Sequence, residues 1–173
     1  GEEYEVDCII FATGFEVGTD YSRRAGYQIH GVEGKTVSQK WENGLATLHG
    51  MHSRGFPNSF FFGPAQSGFT ATYTYSLDEQ SIHLAYILEK IMDKGATRIE
   101  ASEEAEAQWI QTIIEKARLT ADFQENCTPG YYNNEGKINQ TPQNNTYGGG
   151  PIEFFSLMKK WRSKDNLEGL EIN

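Results

Sequence analysis

Histidine is the side chain here best suited to acid–base or metal chemistry, and there are four: His30, His49, His52 and His83. His49 and His52 have a spacing that suits two metal ligands, but no nearby Cys or carboxylate completes a tetrahedral set. They read as core or solvent-facing histidines rather than zinc ligands. A hydrolytic nucleophile is also missing, since no G-x-S-x-G elbow occurs. Neither a G-x-x-x-x-G-K-[ST] loop nor a G-x-G-x-x-G fingerprint is present to hold phosphates. What remains are two apolar runs that end in small residues. Asp7 leads through C-I-I-F to Ala12-Thr13-Gly14-Phe15, and residues 59–62 lead into Gly63-Pro64-Ala65-Gln66-Ser67-Gly68. A strand, a small-residue loop and a helix in succession aim a helix N-terminus at a ligand beyond the carboxyl end of a sheet.

The elements that would position such a loop follow from periodicity. The continuous apolar run 8–11 suggests a strand buried on both faces, as in a parallel sheet, and 59–62 suggests a second. Short strand-like pieces stand at 27–29 and 45–48 in the otherwise irregular, glycine-punctuated stretch 16–55. A helix is expected over 76–94, with Ile82, Ala85, Leu88 and Met92 as its apolar stripe and Gly95 as its stop. A second, 102–118, has Ser102 as N-cap, Glu103 and Glu104 in its first turn, and Trp109, Ile113 and Ala117 on its apolar side. A third, 152–162, follows Pro151 and carries Phe154, Phe155, Leu157, Met158 and Trp161. The stretch 120–150, rich in Asn, Gly, Gln and Thr, reads as functional loops or as segments packed on another domain.

Composition narrows the function classes. The 173 residues hold 15 Lys+Arg against 24 Asp+Glu, a formal charge of -9, which disfavours nucleic acid and anionic membranes as partners. Hydrophobic residues make up 38 %, and no apolar run is long enough for a membrane helix, whereas 13 % aromatic residues supply anchors for a packed core. Two cysteines, Cys8 and Cys127, are too few for a disulfide framework, and Cys8 within its apolar run reads as a buried thiol in a reducing compartment, the cytoplasm. The sequons at Asn126, Asn139 and Asn144 read as accidental in an Asn-rich stretch. Two strands and three helices do not complete a doubly wound sheet. The opening Gly-Glu-Glu, running almost at once into a strand, also suggests part of something longer.

Taken together, Asp7-x-x-x-x-Ala12-Thr13-Gly14-Phe15, Phe56-Pro57-Asn58 and the apolar run ending Phe62-Gly63-Pro64 resemble the C-terminal part of class B flavoprotein monooxygenases, and within them the Baeyer–Villiger monooxygenases. Trp41-Glu42-Asn43-Gly44 is similar to the family's W-x-x-G, and Ser76-Leu77-Asp78-Glu79-Gln80 to its helix start after about one extra loop residue. Gly136-Lys137 and the late glycine run before Phe154-Phe155 resemble its tail. The resemblance covers nearly the whole chain and is specific as a set.

It implies an α/β fold, the C-terminal portion of a flavoprotein with two Rossmann-like domains for FAD and NADPH, with few strands, about three helices and long irregular loops. Residues 1–15 would end a dinucleotide-binding domain, 16–58 would form a linker and irregular segment, and 59–173 would belong to the FAD domain with substrate-pocket loops. The implied activity uses FAD, NADPH and O2 to insert one oxygen atom into a ketone, giving an ester or lactone. Thr13, Gly14, Gly63, Pro64, Ala71, Thr72, Tyr73 and Thr74 would face the cofactor, with Tyr73 or Thr74 at the family's apolar or Met position. Phe69, Tyr73, Tyr75, Tyr131 and Tyr132 would line the substrate pocket; where family members often have a Trp, either Tyr131 or Tyr132 stands in or the contact is lost.

The implied partners are a small ketone, O2 and the missing N-terminal part of the same protein. No catalytic residue and no metal ligand is expected here, because the family's glycine-rich fingerprints and catalytic Arg precede this segment. The segment alone is therefore expected to be inactive. The alternatives are a class B enzyme that oxygenates nitrogen or another heteroatom, and, for a chain existing alone, a non-catalytic acidic binding domain.

Overall fold

Three amphipathic helices organise the interior. In the computed structural model, which describes residues 1–12, 22, 25–117, 128 and 141–173, they are α2 (Tyr73–Asp93), α3 (Glu103–Lys116) and α4 (Pro151–Ser163); the single-turn α1 (Val37–Lys40) precedes them. Each boundary has a local cause. Gly95, at φ 64°, ends α2 in the left-handed region, and its N–H bonds Met92 O at 2.9 Å. Ser102 caps α3 by accepting from Ala105 N–H at 3.2 Å, and Glu103 and Glu104 complement the positive end of the helix. Pro151 opens α4, where its missing N–H costs nothing.

Between α2 and α3 runs β1 (Ile99–Ala101), which pairs antiparallel with β2 (Leu170–Ile172) at the end of the chain: Ile99 faces Ile172 and Ala101 faces Leu170. Among the described residues these are the two strands, and sequence periodicity indicated neither, being only three residues each. One core gathers Leu48, Ala101, Trp109, Ile113, Tyr147, Phe154, Phe155 and Met158. A second joins Ile87, Ile91, Ile99, Trp161 and Leu167, and a third Val37, Phe56 and Phe61.

The stretch between α1 and α2 has little regular structure yet lies mostly inside. Its backbone groups are satisfied by side chains from elsewhere. Glu106 of α3 accepts from Arg54 N–H at 2.7 Å and pairs with Lys40 Nζ at 2.7 Å, while Glu100 accepts from Gly55 N–H at 3.0 Å. Arg54 reaches Ala101 O at 3.1 Å and also pairs with Glu171. The loop before α4 runs equally close to α3: a Cβ on Gly148 would sit 1.6 Å from Lys116 O. Gly148→Ala is expected to cost about 2 kcal/mol through the backbone shift it forces, read as a lower midpoint in denaturant at unchanged slope.

Three expectations are corrected. The runs 8–11 and 59–62 form no strand, and 27–29 and 45–48 yield only the single bridges His30–Thr36 and Leu48–His52. A strand needs a ladder of bonds to a neighbour; among the described residues 59–62 has one such bond, Phe61 N–H to Met51 O at 2.9 Å, and 8–11 has none. For the same reason Cys8 is exposed rather than buried, as are Ile10 and Phe11, 85 % and 84 % accessible. The α2 stripe is reversed as well. Ile82, Ala85, Leu88 and Met92 are exposed, and the buried face is Ser76, Glu79, Gln80, His83, Ile87 and Ile91. Both rows keep helical spacing; packing against α4 and the 45–68 stretch selects the more polar one.

Candidate functional site

The loop from Gly63 into α2 is braced from within and open outward. Its inner side turns through Gln66, at φ 55° and fully buried. Gln66 Nε2 donates to Leu45 O at 2.8 Å and Gln143 O at 2.9 Å, its Oε1 accepts from Thr47 Oγ1, and its carbonyl accepts from Trp109 Nε1 at 3.1 Å. Ser67 Oγ donates to Gly63 O at 2.6 Å, and Gln80 Nε2 donates to the same carbonyl at 2.8 Å and to Ser67 Oγ at 2.9 Å. Gly68 lies against Phe154, where a Cβ would come within 2.7 Å of the ring. The small residues of this loop are thus required by packing on the inside. Outward, a Cβ on Gly63 would meet nothing within 4 Å.

The open side presents aromatic side chains beside a helix start. Phe62, Phe69, Tyr73 and Tyr75 are exposed, with the Phe69 and Tyr73 rings 5.8 Å apart. Tyr75 packs edge-on to Phe155 at 5.4 Å and donates its hydroxyl to Glu79 Oε1 at 3.1 Å; that bond and the carboxylate charge raise its pKa and keep it a neutral donor. Thr72, the N-cap of α2, makes no side-chain cap, and no acidic residue occupies the first turn. The positive end of a long helix therefore opens toward whatever covers this face.

Of the residues singled out from sequence, Gly63 and Pro64 are half-buried, and Phe69, Ala71, Thr72, Tyr73, Thr74 and Tyr75 are exposed along this one face. Thr13, Gly14, Tyr131 and Tyr132 lie outside the described residues. Sequence reasoning missed the braces, Gln66 and Gln80, and the buried polar set behind them. The available signal was Ser76, Glu79, Gln80 and His83 continuing at helical spacing into Ile87 and Ile91.

That polar set includes three buried histidines. The His49 ring stands edge-on to Trp109 at 4.9 Å and to His83 at 5.7 Å, and His83 lies 4.9 Å from Trp161. Burial, with the neighbouring His83 adding to it, lowers the pKa of His52 to about 3; burial and then Arg162 lower that of His83 to about 4. His49 is held well below the usual imidazole range by burial, then by His83 and His52. All three are neutral at pH 7. His49 and His52 are buried against aromatic rings, His49 edge-on to Trp109 and His52 edge-on to Phe60 at 5.4 Å.

No protein-family model matches the chain. It is 45 % identical over 175 residues to the neopentalenolactone D synthase of Streptomyces avermitilis, an alignment covering 99 % of this chain and 30 % of that protein. With Baeyer-Villiger monooxygenase 4 of Dietzia sp. it shares 34 % identity over 170 residues, covering 98 % of this chain and 28 % of that one. The polycyclic ketone monooxygenase of Thermothelomyces thermophila superposes with a TM-score of 0.79 at 31 % identity, over 88 % of this chain and 25 % of that chain. A closed crystal structure of cyclohexanone monooxygenase superposes with a TM-score of 0.76 at 25 % identity, over 100 % of this chain and 31 % of that chain.

The open face sets the Phe69 and Tyr73 rings beside a helix start with no acidic residue in its first turn, an arrangement that favours a planar group carrying negative charge. The chain spans about 30 % of the length of the curated relatives it matches. By sequence and by fold the chain matches part of the Baeyer–Villiger monooxygenases.

Proposed function

We propose that the complete protein is an FAD- and NADPH-dependent monooxygenase that inserts one oxygen atom from O2 into a ketone, and that this segment walls the flavin and shapes the substrate pocket. The observation that carries the reading is the 63–75 face, rigidly braced behind and aromatic in front, in a chain 45 % identical to a lactone-forming synthase by name. When bound, the flavin supplies the oxygen activation. The chain's own residues do the rest. Ser67 and Gln80 hold the Gly63 carbonyl in place, so the Gly63–Pro64 backbone presents a fixed edge. Phe69, Tyr73 and Tyr75 exclude water from an apolar substrate while the phenols offer polar contacts. The α2 N-terminus favours negative charge at the wall.

On this reading Thr13, Gly14, Gly63, Pro64, Ala71, Thr72, Tyr73 and Thr74 face the cofactor, and Phe69, Tyr73, Tyr75, Tyr131 and Tyr132 the substrate. Residues 1–15 finish one dinucleotide-binding domain, 16–58 cross over, and 59–173 complete the FAD domain. The uncovered apolar row Ile82, Leu88 and Met92 and the exposed run 8–11 pack on the remainder of the protein. The low cysteine count supports a reducing compartment such as the cytoplasm. Among the described residues no helix is long and apolar enough to cross a membrane.

The test is the full-length protein, purified with its flavin and supplied with NADPH and panels of ketones, amines and sulfides. Ester or lactone products with bound FAD are expected, and residues 1–173 alone are expected to bind no flavin and turn over nothing. N-oxide or sulfoxide with no ester from any ketone would move the protein to the heteroatom-oxygenating class.

A further inference from the structure

Behind the braced loop, between α2, α4 and the 49–51 turn, lies a small pocket lined by His49, Met51, Glu79, Gln80, His83, Phe154, Phe155 and Met158. Three of these residues have a buried polar atom with no partner: Glu79 Oε2, Gln80 Oε1 and His83 Nε2. Each is turned that way because its other end is committed. Glu79 Oε1 accepts from Tyr75 and lies 3.6 Å from Lys159 Nζ. Gln80 Nε2 donates to Gly63 O and Ser67 Oγ, and Ser67 itself donates to Gly63 O; this pattern requires the amide nitrogen there and leaves Oε1 for the pocket. Arg162 Nη1, always a donor, stands 3.4 Å from His83 Nδ1, so Nδ1 accepts and the proton sits on Nε2.

The unpartnered buried polar atoms of the lining residues are therefore two acceptors and one donor. We infer that it is a hydration site holding one ordered water, which donates to Glu79 Oε2 and Gln80 Oε1 and accepts from His83 Nε2–H. The space is of the order of one water molecule, and three partners is the usual number for a buried water. A metal or ammonium ion is disfavoured by the inward N–H and by the Arg162 charge behind it; an apolar occupant would leave the carboxylate and amide oxygens unpaired. The water joins α2 to the back of the Gly63–Gly68 loop, because the Gln80 side chain it holds is the one that carries the Gly63 carbonyl. This assignment stands whether or not the loop faces a flavin.

A high-resolution crystal structure of the full-length protein tests it. One water peak within about 3.2 Å of all three atoms is expected. An empty pocket, a side chain from the remaining part of the protein filling it, or a peak at metal-ligand distances would overturn the assignment. Nitrogen-15 histidine NMR on the same protein gives a second reading. The His83 ring should be neutral with its proton on Nε2, and a proton on Nδ1 would remove the donor on which the site depends.

Discussion

Trp109→Ala is expected to destabilise the fold by about 4 kcal/mol, in the range for deleting a large buried aromatic side chain. Trp109 is 5 % exposed at the centre of the larger core. Its ring stacks on Tyr147 at 5.8 Å with an interplanar angle of 8° and meets the edges of His49 and Phe154. Its Nε1–H is the donor that satisfies the buried Gln66 carbonyl, so truncation both opens a cavity and orphans the turn that braces the Gly63–Gly68 loop. Trp109→Phe separates these effects. It keeps most of the packing, loses the hydrogen bond, and is expected to cost about 1–2 kcal/mol. Denaturant unfolding of the full-length protein measures both. Equal losses for the two variants would show that the indole N–H, not the volume, dominates.

Acid is expected to destabilise the same region well above the carboxylate range. The folded pKa values of His52 and His83, about 3 and about 4, lie below the 6.5 of an unperturbed histidine, and that of His49 is also depressed. A depressed group leaves stability intact above its unfolded pKa. As pH falls below 6.5 the unfolded chain takes up protons that the folded one refuses, so stability is lost from there down to the folded pKa. Each such group removes about 1.4 kcal/mol per pH unit in that window. The melting temperature should fall steeply from pH 6.5 to 5, and His52→Phe or His83→Phe should flatten the slope relative to the parent. A profile unchanged by either substitution would contradict neutral burial of these rings. Glu153 and Asp165, held down by Lys116 and Lys90 respectively, lose their contributions only at lower pH, as it falls through their depressed pKa values, so the fall from pH 6.5 to 5 reports the histidines.

Much of the helical frame was legible because its signals are local. Ser102 with its acidic first turn, Pro151 as the first residue of α4 and Gly95 as the end of α2 each act within one helical turn, and each does in the structure what its residue type suggests. The loop at Gly63–Gly68 could be singled out because small residues between an apolar run and a helix have few other uses. The resemblance to the monooxygenases rested on several such short motifs in order, which no single spacing could have supplied.

What only tertiary packing decided is which faces are inside. On α2 two rows compete at the same spacing, and hydropathy favours Ile82, Leu88 and Met92. Packing buries Glu79, Gln80 and His83 instead, because Tyr75 meets one polar end of Glu79, Gly63 O and Ser67 meet that of Gln80, and Arg162 meets that of His83. The runs 8–11 and 59–62 have strand character in their residues but, among the described residues, no neighbouring strand to pair with, whereas three residues at 99–101 become a strand because the chain end returns beside them. Local propensity is written residue by residue; pairing and burial depend on groups far away in the chain.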